Sequence, residues 1–176
     1  YNGQGCDVNR DIDSFRSREA KMIRDLIEET EPDDIISLNE GPQDGFMLVA
    51  TSVSSPQVAR KIVDAVAAEG VPLAEKHFAG VPNGTPGLSL EGSFVSWAKG
   101  AVNLGSLGTW TAEHQIPTYT VETNWASPDF EQRVHANVTA VMAFLDVPAE
   151  AAPPHRSICA RLPREDEVTL VALDVP

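Results

Sequence analysis

Cysteine and lysine are scarce in this chain, and it has no long apolar run. Cys6 and Cys159 are the two cysteines among 176 residues, and no metal-ligand spacing links them. They read as two buried thiols, with a disulfide as the alternative. No stretch approaches the roughly 18–20 apolar residues that span a bilayer, so no membrane partner is expected. The opening Tyr1-Asn2-Gly3-Gln4-Gly5 has neither the basic start nor the apolar stretch of a signal peptide. It reads as a loop inside a domain, so the chain is expected to begin within a longer, cytoplasmic protein. Basic residues are also few: 13 Lys and Arg stand against 26 Asp and Glu, for a formal net charge of −13. That balance excludes a surface that binds nucleic acid electrostatically. Only four of the basic residues are Lys, and the carboxylates are spread along the whole chain. Such acidity keeps a protein hydrated in high salt, so a halophile surface is expected, with an ordinary acidic protein as the alternative.

The length fits one domain with a real core, and no internal repeat is present. Helical and strand periodicities alternate. From Ser14 to Thr30, Phe15, Ala20, Met22, Ile23, Leu26 and Ile27 fall mostly on one helical face. Ser14 or Ser17 caps this helix, and Glu31-Pro32 stops it. Asp34 to Leu38 reads as a short buried strand broken by Asn39-Glu40-Gly41-Pro42, and Phe46 to Ala50 as a second strand. Ser55-Pro56 opens a helix closed by Gly70, with Val58, Ile62, Val63, Val66 and Ala67 as its apolar stripe. A loop rich in Gly and Pro runs from Gly80 to Gly92, and a helical turn is expected around Ser93 to Lys99. Pro117 to Glu122 is β-branched and alternating, hence a strand. Ser127-Pro128 opens a last helix carrying Phe130, Val134, Val138, Val141, Met142 and Leu145. Beyond the Pro148–Pro154 linker, Val168 to Val175 is a terminal strand.

Alternating elements of this kind predict an α/β fold with a mixed, largely parallel sheet flanked by helices. In such sheets ligands sit beyond the carboxyl ends of strands. Three polar clusters fall at such places or in the loop leading to them: Asp7-Val8-Asn9-Arg10, Asn39-Glu40-Gly41 and Glu122-Thr123-Asn124.

Those clusters, in that order, resemble the zinc-carboxypeptidase-like family, the metallocarboxypeptidases with the succinylglutamate desuccinylase and aspartoacylase relatives. Asp7-Val8-Asn9-Arg10 matches the family's Asp-x-Asn-Arg loop, and Ile35 to Gly41 occupies the strand that ends in a zinc-ligand His. Gly92-Ser93-Phe94-Val95-Ser96-Trp97 matches a Gly-Ser…Trp segment, and Tyr119-Thr120-Val121-Glu122 a strand ending in the general base. The likeness covers roughly residues 5 to 146. It implies that residues 1–147 are the C-terminal part of a catalytic domain, on which 148–176 pack as linker and terminal strand. It further implies a zinc cofactor, Glu122 as general base, Asn9 and Arg10 as the clamp for a substrate carboxylate, and Asn39 at a metal-ligand position. The partner implied is a peptide or small molecule with a free carboxylate.

Three departures qualify the expectation. No His-x-x-Glu motif contains His77, His114, His135 or His155; Asn39 stands where the family has His; and no Tyr occurs between Gly84 and Glu91. An amide oxygen is a poor zinc donor beside imidazole. Two functions therefore stand side by side: a metal-dependent hydrolase of peptide or N-acyl amino acid C–N bonds, and a catalytically inactive relative that keeps the carboxylate clamp. Each residue also has a plainer reading. Glu122 can be a solvated strand-end acid. Arg10 can brace its loop against Asp7, Asp11 or Asp13, and Asn39 can serve a turn. Trp97, Trp110 and Trp125 read as core, His114 as a loop residue, and Ser93 lacks a nucleophile elbow.

Overall fold

A computed structural model describes residues 5–12, 14–77, 80, 82–90 and 105–145. The expected Ser93–Lys99 turn, the Gly92–Trp97 motif, the Pro148–Pro154 linker and the Val168–Val175 strand lie outside the described residues. Helix α1 spans Arg18–Thr30, with Ser17 as its cap: the Ser17 hydroxyl accepts from Ala20 N–H. It ends at Glu31, whose φ of 43° turns the chain left-handed just before Pro32. Strand β1 follows at Ile35–Gly41 and β2 at Met47–Ala50. Helix α2, Pro56–Ala68, is capped by Ser55, has Pro at its start and leads into Gly70 at φ 76°. Strand β3 is Leu88–Leu90 and helix α3 is Leu107–Glu113. Strand β4 is Thr118–Asn124 and helix α4 is Phe130–Leu145.

The sheet order is β1-β4-β2-β3. Strand β4 lies parallel to β1 and antiparallel to β2, and β2 is parallel to β3. The fold is thus α/β with a mixed four-stranded sheet. Alternation along β4 divides the layers. Tyr119 and Val121 are fully buried among Leu48, Ala50 and Leu88 of the sheet, Val58, Ile62 and Val66 of α2, and Ala136 and Ala140 of α4. On the other face Ile12, Ala20, Ile27 and Trp110 form a smaller core with Ile35 and Ile116.

Four expectations need correction. Strand β1 does not stop at Leu38; it runs to Gly41, because Asn39, Glu40 and Gly41 all pair in register with β4. The loop predicted from Gly80 to Gly92 contains β3. Strand β4 does not end at Glu122 but runs to Asn124, which pairs with Gly41. On α4, Phe130, Val134, Val138, Met142 and Leu145 are 40–61% exposed, while the small Ala136 and Ala140 pack against the core. Cys6 is exposed rather than buried. Helix α3 was not foreseen at all. It rests on a reciprocal capping box, in which the Ser106 side chain accepts from Thr109 N–H and the Thr109 side chain from Ser106 N–H.

A buried hydroxyl network holds the start of β4. The Thr118 hydroxyl meets that of Thr111 at 2.7 Å, Ser54 Oγ donates to Thr118 C=O, and Thr118 N–H donates back to Ser54 Oγ at 3.0 Å. One residue on, Tyr119 Oη accepts from Ser55 N–H at 2.9 Å, tying the sheet to the start of α2. Burial pushes the Tyr119 phenol up to about 12, so it stays protonated. Tyr119→Phe should lower stability by about 1–3 kcal/mol, because a buried N–H loses its acceptor while the packing is kept. Urea unfolding should show an earlier midpoint with an unchanged slope. Met142→Ala, at an exposed position, should stay within about 0.5 kcal/mol of the parent.

Candidate functional site

The face of the sheet opposite the main core carries the polar residues. Register places Glu122 of β4 directly across from Asn39 of β1 on one side and Met47 of β2 on the other. Side chains at paired positions share a face, so Asn39, Glu122 and the fully buried Met47 form one row. Asn39 Nδ2 donates to Ser37 Oγ at 3.1 Å, which orients the amide along β1. Glu40 belongs to the other face. It pairs with Arg133 of α4 and accepts from the Thr123 hydroxyl.

The loop before α1 arrives at this face by its own hydrogen bonds. Asp11 accepts from the Ser14 hydroxyl and from Ser17 N–H, and these two contacts hold its carboxyl far below the usual carboxylate range. Asp11 is therefore committed to closing the loop. Asn9 Oδ1 accepts from Leu107 N–H at 2.9 Å, and Arg10 Nη1 donates to Gly105 C=O at 3.0 Å. Asn9 and Arg10 thus fasten the loop to the start of α3. Among the described residues Arg10 has no ion-pair partner, and its charge reaches Glu122.

Glu122 is partly buried. Loss of hydration raises its carboxyl from 4.5 to about 7, and the nearby Arg10 charge works against that rise. No donor among the described residues bonds its carboxylate. Gly41 explains part of the crowding, since a Cβ there would stand 3.0 Å from Glu122 Oε2 and would clash with Gln43 Oε1. Gln43 is itself buried at 4% exposure. Neither Gly41 nor Gln43 stood out in the sequence as more than a turn; a Gly at a strand end, where another group approaches closely, was the available signal.

The structure therefore brings Asn39, Glu122 and the charge of Arg10 to one face, with Asn9 anchoring the loop beside them. His114 is elsewhere, beyond α3 near the start of β4, with Nδ1 2.8 Å from Trp110 C=O and its ring 4.2 Å from the Trp110 ring. Trp110 is core, whereas Trp125 is exposed. A cavity of about 220 Å³ opens near the end of β4 between Phe46, Pro72, Thr123, Asn124, Arg133 and Ala136, and Glu122 does not line it. The metal expectation finds no complete ligand set among the described residues. Among the described residues no group of three His, Cys, Asp or Glu could hold a cation. Asn39 next to one carboxylate offers zinc a neutral oxygen where it needs nitrogen, sulfur or charge. No helix among the described residues is long and apolar enough to cross a membrane.

No protein-family model and no curated protein matches this chain. Solved structures do. A provisionally assigned metallopeptidase of Shewanella denitrificans OS217 is 20% identical, with a TM-score of 0.60 over 87% of this chain and 55% of its own. Another, of Shewanella amazonensis SB2B, is 15% identical, with a TM-score of 0.53 over 75% of this chain and 48% of its own. The fold is metallopeptidase-like. At these identities the shared property is the fold, and the chain spans about half the length of the solved structures it matches.

The raised carboxyl of Glu122 makes stability depend on pH. Between pH 4.5 and about 7 the folded chain holds a proton that the unfolded chain has released. The contribution is fully present below pH 4.5 and is lost as pH rises through about 7. Glu122→Gln should remove this dependence. Relative to the parent, the variant should gain stability from pH 4.5 to pH 8 by at most about 3 kcal/mol, read from urea midpoints at the two pH values. Arg10→Met should move the Glu122 midpoint upward, read by carboxyl NMR.

Proposed function

We propose that this chain serves hydrolysis of the C–N bond in a peptide C-terminus or N-acyl amino acid, with Glu122 as the proton-transfer group. The observation that carries the reading is the partly buried Glu122 carboxyl with a pKa of about 7, within reach of the charge of Arg10, which has no ion-pair partner among the described residues. Near neutral pH such a carboxyl exists in both forms, which suits a group that takes a proton from water and returns one to a leaving amine. Arg10 offers a planar fork of donors to the substrate carboxylate. Asn9 Nδ2 adds one more donor, since only its Oδ1 is engaged by Leu107. The fold likeness to metallopeptidases supports the class of chemistry. Zinc, which the sequence resemblance implies, finds no ligand set among the described residues, so no step is drawn through it.

Asn39 favours a second reading, in which the same clamp binds a carboxylate and no bond is cut. The two separate in one experiment. With N-acyl amino acids and short peptides as substrates, hydrolysis should be measurable, and Glu122→Gln should reduce kcat by about 10²–10⁴-fold. Arg10→Met should mainly raise KM, with a larger effect on acids than on the matching carboxamides. Saturable binding of the acids without turnover, weakened by Arg10→Met and indifferent to Glu122→Gln, would establish the binding reading instead. Elemental analysis of the purified protein tests the zinc expectation directly.

A further inference from the structure

Gln43 is an unusual residue for the short connection between β1 and β2. Its side chain is almost wholly buried, at 4% exposure, and its Oε1 has no hydrogen-bond partner among the described residues. Its Nε2 is turned toward Gly45 C=O, 3.4 Å away. The orphaned oxygen lies over Gly41, where the missing side chain leaves room for it. The same space is shared by the Glu122 carboxyl, because a Cβ on Gly41 would meet Gln43 Oε1, Gln43 Cδ at 3.2 Å and Glu122 Oε2 at 3.0 Å. Two acceptor groups thus approach one point, and among the described residues neither has a donor. Such a pair, one member buried and the other partly so, is unfavourable unless a proton lies between its members.

We propose that Gln43 is a positioning residue for Glu122: its side-chain carbonyl accepts a hydrogen bond from the protonated Glu122 carboxyl and fixes where that proton is held. The hydrogen bond requires the Glu122 carboxyl to turn its protonated oxygen toward Oε1. The contact favours the protonated form, because Nε2 points away to Gly45 and the ionised carboxylate gains nothing from Oε1. Other neighbours do not duplicate it. From β1 the row presents the uncharged Asn39 and Gly41, and from β2 the apolar Met47. From the loop comes the Arg10 charge, which acts in the opposite direction.

The role rests on Glu122 being the proton-transfer group proposed above, but the contact can be tested without substrate. In the parent protein the side-chain amide resonances of Gln43 should shift with pH at the same midpoint as the Glu122 carboxyl carbon, which Glu122→Gln assigns. In Gln43→Met, a side chain of similar length with no amide, the Glu122 midpoint should fall, by about three- to tenfold in proton affinity. Gln43 resonances that stay flat through the Glu122 titration would overturn the proposal, and so would a midpoint that is unmoved or raised in Gln43→Met. If the variant does not fold, the parent titration alone decides. Turnover is scored separately. With hydrolysis present, Gln43→Met should lower kcat at nearly constant KM. With hydrolysis absent while Gln43 and Glu122 still titrate together, the hydrolase reading falls and the hydrogen bond remains.

Discussion

The strict alternation of the central strand β4 is the constraint on which the rest of this structure depends. Strand β4 is paired on both sides, so its register cannot drift without breaking two ladders. Tyr119 and Val121 are fully buried on the face covered by α2 and α4. Once those two are fixed, Glu122 must point to the opposite face, across from Asn39 and Met47. A slip of one residue would put a carboxyl into the main core and two large side chains outside it. The hydroxyl contacts of Thr118 with Ser54 and Thr111, and the Tyr119 bond to Ser55, lie toward the start of the same strand. They hold at one end the register that sets the carboxyl at the other.

Legibility in the sequence followed the strength of the local signal. Helices α1 and α2 announce themselves through Ser17 with the Glu31-Pro32 stop, and through Ser55-Pro56 with Gly70. Strand β4 is β-branched and alternating, and only Thr123 and Asn124 fall beyond its expected end at Glu122. Helix α3 escaped because Gly108, Thr109 and Thr111 are weak helix formers, and its cap is a Ser-Thr pair rather than the usual Ser-Glu pattern. The strand character of Asn39 to Gly41 escaped for a related reason. Asn, Glu and Gly are poor strand formers, and only pairing with β4 makes them one. Helix α4 shows another limit of periodicity. Its large apolar residues are evident from the spacing, yet the close approach belongs to Ala136 and Ala140, which periodicity cannot rank.

The site was legible as a set of positions and not as an environment. Asn9, Arg10, Asn39 and Glu122 could be named because their motifs are ordered along the chain, and the fold brings them to one face of the sheet. Their partners could not be named. Arg10 had three acids near it in sequence as candidate braces. Asp11, one of the three, is instead committed to Ser14 and Ser17. Asp7 Oδ1 accepts from the backbone N–H of Arg10, Asp13 lies outside the described residues, and the guanidinium charge acts on a carboxyl on another element. Gln43, far from Glu122 in the sequence, shares the space over Gly41 with it only because Gly41 has no side chain. Contacts of that kind are set by tertiary approach, which no spacing along the chain records.

The character of Glu122 also bears on how the position of Asn39 should be understood. A carboxyl that keeps its proton to about pH 7 does so because burial outweighs the opposing charge of Arg10, and its partner in register on β1 is the uncharged Asn39. A divalent cation beside Asn39 would add charge close to the carboxylate and pull the pKa down, leaving Glu122 ionised well below neutrality. With Asn39 and no such cation, Glu122 is an acid as readily as a base at neutral pH. With a cation it would start ionised, taking a proton first and returning it in a later step. Asn at this position would then be more than the loss of one donor, because it would alter the form in which the carboxyl starts. The Glu122 midpoint measured with and without added zinc distinguishes these two states of one residue.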